Sequence, residues 1–272
     1  MARRIGKIPP TAAFGIAVVT TYSVAVLFAP VIAPYGQTEV VGAPFLPWSG
    51  EHPFGTDNLG RDMLTRLIYG ARNSVALALV TTLLAFLIGT AAGFVGSILK
   101  GWTDMAIGRS VDVLMAIPAL IFALLLLTIT GPSLVATVLV VALIEGTRVY
   151  RLTRAVAGNL VVMEFVEAAQ LRGESLWWII RRELLPNATA PLAAELGLRF
   201  CFVFLFISAL SFLGLGVRPP LAEWGSMVRE NATLITYGDI TPLLPAAAIA
   251  ILTISVNFIV DWFLHMTSGL EE

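Results

Sequence analysis

Long apolar runs alternate with short polar segments along this chain. The runs cover Thr11–Ala33, Ser74–Leu99, Arg109–Thr130, Leu134–Leu152, Leu192–Leu213 and Pro242–Leu264. An α-helix rises about 1.5 Å per residue, so about 20 residues cross the ~30 Å hydrocarbon core of a bilayer. Hydrocarbon offers no water to backbone N–H and C=O groups, and a helix satisfies them internally. The pattern predicts an all-α, polytopic membrane protein with six transmembrane helices. It divides the chain into an N-terminus (1–10), a first helix (11–33) and an outer segment (34–73). A five-helix core (74–264) follows, with a polar inner loop (153–191) and a second outer loop (214–241). A short C-terminus (265–272) closes the chain.

Local signals refine the elements. Pro9 and Pro10 stand just before the first run, where proline is tolerated. Gly89, Gly93 and Gly96 would let helices approach closely, and Pro118 is placed to kink the third span. In the outer segment, Gly55 and Gly60 suit turns, while Asp57 and Asp62 can cap helix starts or pair with Arg61 and Arg66. In the inner loop, Glu164–Leu171 is built of strong helix formers. Gly173 is predicted to end that helix by taking a left-handed conformation. Trp177 and Trp178 suit a membrane interface, and Pro186 and Pro191 are read as breaks before the fifth span. Trp224, in the second outer loop, is a further candidate for the interface.

Composition supports the membrane reading. Hydrophobic residues make up 57 % of the 272 and charged residues 13 %, against about 25 % charged in an average soluble protein. The net charge of −1 gives no reason to expect nucleic acid. The single cysteine, Cys201, excludes an intrachain disulfide, and the two histidines, His52 and His265, are far apart. No metal-site spacing and no cofactor are expected. Arg3, Arg4 and Lys7 before an apolar run could open a signal peptide. The run is too long for one and lacks a small-x-small cleavage site, so a retained helix is expected.

Lys and Arg set the orientation. With the N-terminus inside, the inner segments and adjoining helix ends carry Arg3, Arg4, Lys7, Lys100, Arg109, Arg148, Arg151, Arg154, Arg172, Arg181, Arg182 and Arg199. The outer segments carry only Arg61, Arg66, Arg72, Arg218 and Arg229. Both termini and the 153–191 loop are therefore expected in the cytoplasm. Ionisable groups in or near the spans are Asp112, Glu145, Arg148, Glu195, Arg199 and Asp261. Most fall near the cytoplasmic ends, and Glu195 and Arg199 are spaced to pair on one helix face. Glu145 is the residue closest to what a proton relay needs. No phosphate-binding Gly-x-x-x-x-Gly-Lys-Ser/Thr loop and no Ser/His/Asp arrangement occurs, so no catalytic activity is expected.

Three segments carry a family resemblance. Glu167-Ala-Ala, Gly173 and Leu185-Pro186 together resemble the cytoplasmic loop of permease subunits of ATP-binding-cassette importers. His52-Pro-Phe-Gly-Thr-Asp-Asn-Leu-Gly-Arg-Asp62 and Ser211-Phe-Leu-Gly-Leu-Gly-Val-Arg-Pro-Pro, followed by Glu223-Trp-Gly, resemble the dipeptide/oligopeptide/nickel branch. Asp112-Val-Leu-Met-Ala-Ile-Pro118 is similar to that branch too. The chain departs from the wider pattern at Glu183 and Gln170. The resemblance implies a type I importer permease fold in a bacterial inner membrane. It implies partnership with a second, homologous permease, two ATPase subunits and an extracytoplasmic solute-binding protein. Glu167, Ala168, Ala169, Arg172, Gly173 and Pro186 would then form the ATPase-coupling surface. The implied activity is import of dipeptides or oligopeptides by alternating access, with nickel or another small solute as the alternative. A proton-coupled secondary transporter and a structural or signalling membrane protein are the competing classes.

Overall fold

A computed structural model describes residues 8–268. The basic cluster Arg3, Arg4 and Lys7 and the last four residues lie outside the described range. Among the described residues the fold is helical, with only isolated β-bridges in the outer segment. In chain order the α-helices are α1 (Pro10–Ile32), α2 (Met63–Leu99), α3 (Gly101–Ala116), α4 (Ala119–Thr130), α5 (Leu134–Val161) and α6 (Glu164–Leu171). They continue with α7 (Leu176–Ile179), α8 (Leu185–Phe212), α9 (Trp224–Glu230) and α10 (Leu243–Ser268).

Four helices are long and apolar enough to cross a membrane: α1, α2, the continuous Leu176–Phe212 rod and α10. The α3–α4 pair qualifies as one broken span, bent by 90° at Ile117-Pro118. Pro118 therefore does more than kink the third run; it separates two helices. The fourth run belongs to α5, 28 residues long, which carries Glu145 near its middle and Arg148, Arg151 and Arg154 in its second half.

Several boundaries differ from those read in the sequence. Helix α2 begins at Met63 rather than Ser74, because the Asp62 carboxylate accepts the Thr65 N–H at 2.8 Å and caps it there. Pro186 and Pro191 do not break the chain. A π-helical segment, Ile180–Leu184, joins α7 to α8 just ahead of Pro186, and the helix continues through both prolines. A π-turn relaxes the hydrogen-bond ladder where a residue lacks its N–H. The Trp224 ring is packed inside the protein instead of facing outward. It is 2 % exposed, meets Tyr22 and Phe204 edge-on, and donates its indole N–H to the Leu67 carbonyl at 3.0 Å.

Helices α2 and α5 form the central pair. A side chain at Gly89 would stand 2.5 Å from the Gly146 carbonyl and 2.6 Å from Val149 Cβ. Only glycine allows this approach, as the sequence predicted for the Gly89–Gly96 stripe. Two apolar clusters flank the pair. One gathers Met63, Leu127, Val141, Phe204, Ile207 and Trp224. The other gathers Phe94, Ala157, Val161, Val166, Ala169, Ile179, Leu184 and Leu192, and it seats α6.

Candidate functional site

Helix α6 is an eight-residue cap on the end of α5 and of the α7–α8 rod. Val166 and Ala169, three residues apart, form its inner face and are fully buried. Glu167, Ala168, Gln170 and Leu171 are exposed, Leu171 by 83 %. Glu164 and Glu167 occupy the first turn, where negative charge suits the helix dipole.

The helix stops in a Schellman turn. Gly173 N–H bonds the Gln170 carbonyl at 2.9 Å, and Glu174 N–H bonds the Ala169 carbonyl at 3.2 Å. Gly173 has φ +76°, the left-handed conformation expected from the sequence, and open space surrounds its Cα. Arg172 lies over the Trp178 ring, 5.8 Å from its centre, with the Glu174 carboxylate at 3.7 Å. The Ser175 side chain then caps α7 by accepting the Trp178 N–H. Trp177 projects outward, 68 % exposed. Pro186 is exposed on the rod behind the tip, and Ala169 faces inward.

The result is a small protruding tip with a rigid base. Its outer surface offers the carboxylates of Glu164 and Glu167, one alanine over bare helix backbone, an exposed leucine and an exposed tryptophan. No group on it is placed for bond-making chemistry. A surface so small and unpartnered suits contact with another protein.

Two ionic networks lie elsewhere. In the segment between α1 and α2, Asp57 accepts from Arg61 at 2.7 Å and lies 3.1 Å from Arg66 of α2, while Glu230 of α9 accepts from both arginines at 3.2 and 3.1 Å. His52 and Asp62 pair at 3.1 Å. Asp57, Arg61 and Arg66 are at most 3 % exposed, so this network locks the segment onto α9. Close by, Glu223 caps α9 by accepting the Gly225 and Ser226 N–H groups. Its burial pushes the carboxyl above the usual range, and those bonds pull it back. Between α5 and α8, Glu145 accepts from Arg199 at 2.6 Å, and Arg199 also binds Glu195 on its own helix.

Residues 85–268 match the family described as the binding-protein-dependent transport system inner membrane component. The chain belongs to this family.

Relatives of this permease are similar over most of their length. The dipeptide transport system permease protein DppC of Alkalihalophilus pseudofirmus is 33 % identical over 91 % of this chain and 82 % of its own. The di/tripeptide transport system permease protein DppC of Pseudomonas aeruginosa is 34 % identical over 86 % and 80 %. The glutathione transport system permease protein GsiD of Pectobacterium atrosepticum is 32 % identical over 78 % and 71 %. A crystal structure of an amino acid ABC transporter with histidines shares the fold. Its TM-score is 0.56 at 18 % identity, covering 74 % of this permease and 94 % of that chain.

The structure gathers Glu167, Ala168, Ala169, Arg172 and Gly173 at one tip and leaves Pro186 on the rod behind it. The expected pairing of Asp57 with Arg61 and Arg66, and of Glu195 with Arg199, is present. The Glu145–Arg199 link was missed. Its signal was two ionisable groups inside apolar runs of different helices, but nothing local says that α5 and α8 meet there. Glu230 was missed for the same reason.

Proposed function

We propose that this permease imports dipeptides or oligopeptides as part of an ATP-driven transporter in a bacterial inner membrane. It pairs with a second, homologous permease and is served by two ATPase subunits and an extracytoplasmic solute-binding protein. The peptide substrate class is supported by the dipeptide, di/tripeptide and glutathione permeases to which the chain is similar. Six spans are α1, α2, the bent α3–α4 pair, α5, the Leu176–Phe212 rod and α10, with both termini cytoplasmic. The orientation is supported by the basic residues that collect at the α6 end: Lys100, Arg109, Arg151, Arg154, Arg181 and Arg182.

One observation carries the mechanism: the α6 tip presents Glu167 and Ala168 outward while Val166 and Ala169 fix it to the core. Helix α6 docks into a groove of an ATPase subunit, with Glu167 offering its carboxylate and Ala168 admitting the groove wall. Gly173 turns the chain away, and Arg172, stacked on Trp178, ties the turn to the rod. Closure of the ATPase subunits on ATP moves the tip. The rod and α5 follow, and the pathway opens alternately to either side. ATP hydrolysis resides on the partner subunits, and this chain performs no catalysis. A proton-driven mechanism is disfavoured because Glu145, the one candidate relay acid, is already bound by Arg199.

The test is uptake of a radiolabelled dipeptide into proteoliposomes holding this chain with its co-purified partners. Uptake is expected to require ATP, binding protein and ATPase subunits. Uptake by this chain alone under a proton gradient would overturn the reading.

A further inference from the structure

A cleft of about 610 Å³ lies between α3 and α5, along the first three turns of α3. Its α3 wall is a stripe at helical spacing: Gly101, Asp104, Met105, Gly108, Arg109 and Asp112. Its α5 wall supplies Tyr150, Arg151, Arg154 and Ala155. The coupling mechanism proposed above uses none of these side chains.

The charges do not cancel. Arg154 grips Asp104 through two bonds, at 2.5 and 2.6 Å, and Arg151 binds Asp112 at 2.8 Å. Both carboxylates are thereby neutralised. Arg109 is exposed and has no ion pair among the described residues, so one guanidinium is left over. Tyr150 is 3 % exposed, and its hydroxyl has no hydrogen-bond partner among the described residues. A buried hydroxyl without a partner costs free energy unless something occupies the site. Opposite it stand Gly96 and Gly108, whose missing side chains leave room: a Cβ there would be 3.8 and 3.6 Å from the Tyr150 oxygen.

The surroundings are apolar and outward-facing. Trp102, Met105 and Val113 on α3 are 82, 58 and 66 % exposed. Helix α3 runs at 90° to α4, so the two halves of this broken span do not both follow the membrane normal. Lys100 and Trp102 at its start are the residue types that anchor to headgroups. Basic pockets between helices on the cytoplasmic side receive anionic headgroups. The cleft volume falls in the range of small-molecule sites, about 300–1,000 Å³, more than a bare phosphate needs.

We propose that this cleft binds the phosphodiester headgroup of an anionic phospholipid of the cytoplasmic leaflet, with Arg109 as the charge partner and the Tyr150 hydroxyl as a hydrogen-bond donor to a phosphate oxygen. Arg151 and Arg154, charge-balanced by Asp112 and Asp104, line the facing wall and leave Arg109 as the net positive charge. The acyl chains run along the exposed apolar side of α3. The leaflet rests on the orientation proposed above; the binding chemistry does not.

The test is native mass spectrometry of the intact complex released from nanodiscs of equal phosphatidylglycerol and phosphatidylcholine. Wild type is expected to retain phosphatidylglycerol preferentially. Arg109→Gln is expected to lower that retention about five-fold, the worth of one basic side chain near an anionic surface. Arg109→Lys should keep much of it. Tyr150→Phe, which removes only an unpartnered hydroxyl, should lower retention without lowering the melting temperature. Competition with inorganic phosphate distinguishes the sources: release of lipid only at the ionic-strength equivalent of sodium chloride supports a headgroup site. Specific displacement by millimolar phosphate overturns the lipid assignment in favour of a soluble anion. Retention unchanged in both Arg109→Gln and Tyr150→Phe overturns the site altogether. None of these outcomes depends on which side of the membrane α6 occupies, which impermeant labelling reads separately.

Discussion

Replacing Gly173 by valine tests the coupling tip at the point where its backbone is most demanding. Gly173 has φ +76°, and its own N–H and that of Glu174 close the Schellman turn. A β-branched residue is strained there by roughly 1–2 kcal/mol. Nothing in this chain lies within 4 Å of the new Cβ, so the strain is purely conformational. Such a penalty lowers the population of the turned tip about 5–30-fold relative to other arrangements of the same segment. Asparagine tolerates the left-handed conformation far better, so Gly173→Asn is the matched control. Ala168→Trp is an independent obstruction: Ala168 is exposed, and the added ring meets only the docking partner. The assay is ATPase pull-down beside dipeptide uptake in membranes with matched permease levels. Gly173→Val and Ala168→Trp are expected at near-normal levels in the membrane, with weakened pull-down and lost uptake. Gly173→Asn should retain most of both. Full uptake and normal pull-down in both the valine and tryptophan variants would refute the coupling assignment.

Gly89→Leu is expected to separate α2 from α5, because a Cβ there already stands 2.5 Å from the Gly146 carbonyl; overpacking of about 1–3 kcal/mol or more should show as reduced membrane levels and a lower melting temperature. Arg199→Met leaves the buried Glu145 with only Arg148, at 3.5 Å, and Glu195 unpaired, and a loss of about 3 kcal/mol is expected in thermal or denaturant unfolding of the purified protein. A cysteine at Tyr237, 85 % exposed, should react with an impermeant maleimide from outside intact cells, and one at Leu171, 83 % exposed, should not; the opposite pattern would invert the topology. The purified chain alone is expected to show no ATP hydrolysis above background in a phosphate-release assay, and turnover that survives removal of every ATPase subunit would contradict that.

The sequence was informative where structure is local. The Glu164–Leu171 helix and the left-handed Gly173 follow from residue type alone, and the glycine stripe on α2 announced a close helix contact. The sequence was silent where two distant segments meet. Glu230 completes the Asp57–Arg61–Arg66 network from α9, far along the chain, and no spacing rule points to it. Trp224 shows the limit of a residue-type argument: an amphipathic ring in an outer loop suits an interface, yet Tyr22, Phe204 and the Leu67 carbonyl give it a better place inside. Pro186 and Pro191 misled for a related reason. Proline is a strong local breaker, but the π-turn at Ile180–Leu184 accommodates Pro186, and the apolar contacts of Ala188 and Leu192 keep the helix running through Pro191.

That uninterrupted helix has a mechanical consequence. Leu176–Phe212 is 37 residues long, about 55 Å at helical rise. A rod of that length acts as a lever whose fulcrum is wherever it is held most firmly. The guanidinium of Arg199, clasped by Glu145 on the neighbouring helix, sits roughly 35 Å from the Leu176 end by the same rise. A tilt of about 5° about that point sweeps the Leu176 end through roughly 3 Å while the Phe212 end moves less and in the opposite sense. The π-turn sets the angular phase between the two arms, because its extra residue rotates everything on one side relative to the other. A rod pivoting there would carry a displacement at Trp177 to the Phe212 end with its direction reversed and its amplitude reduced.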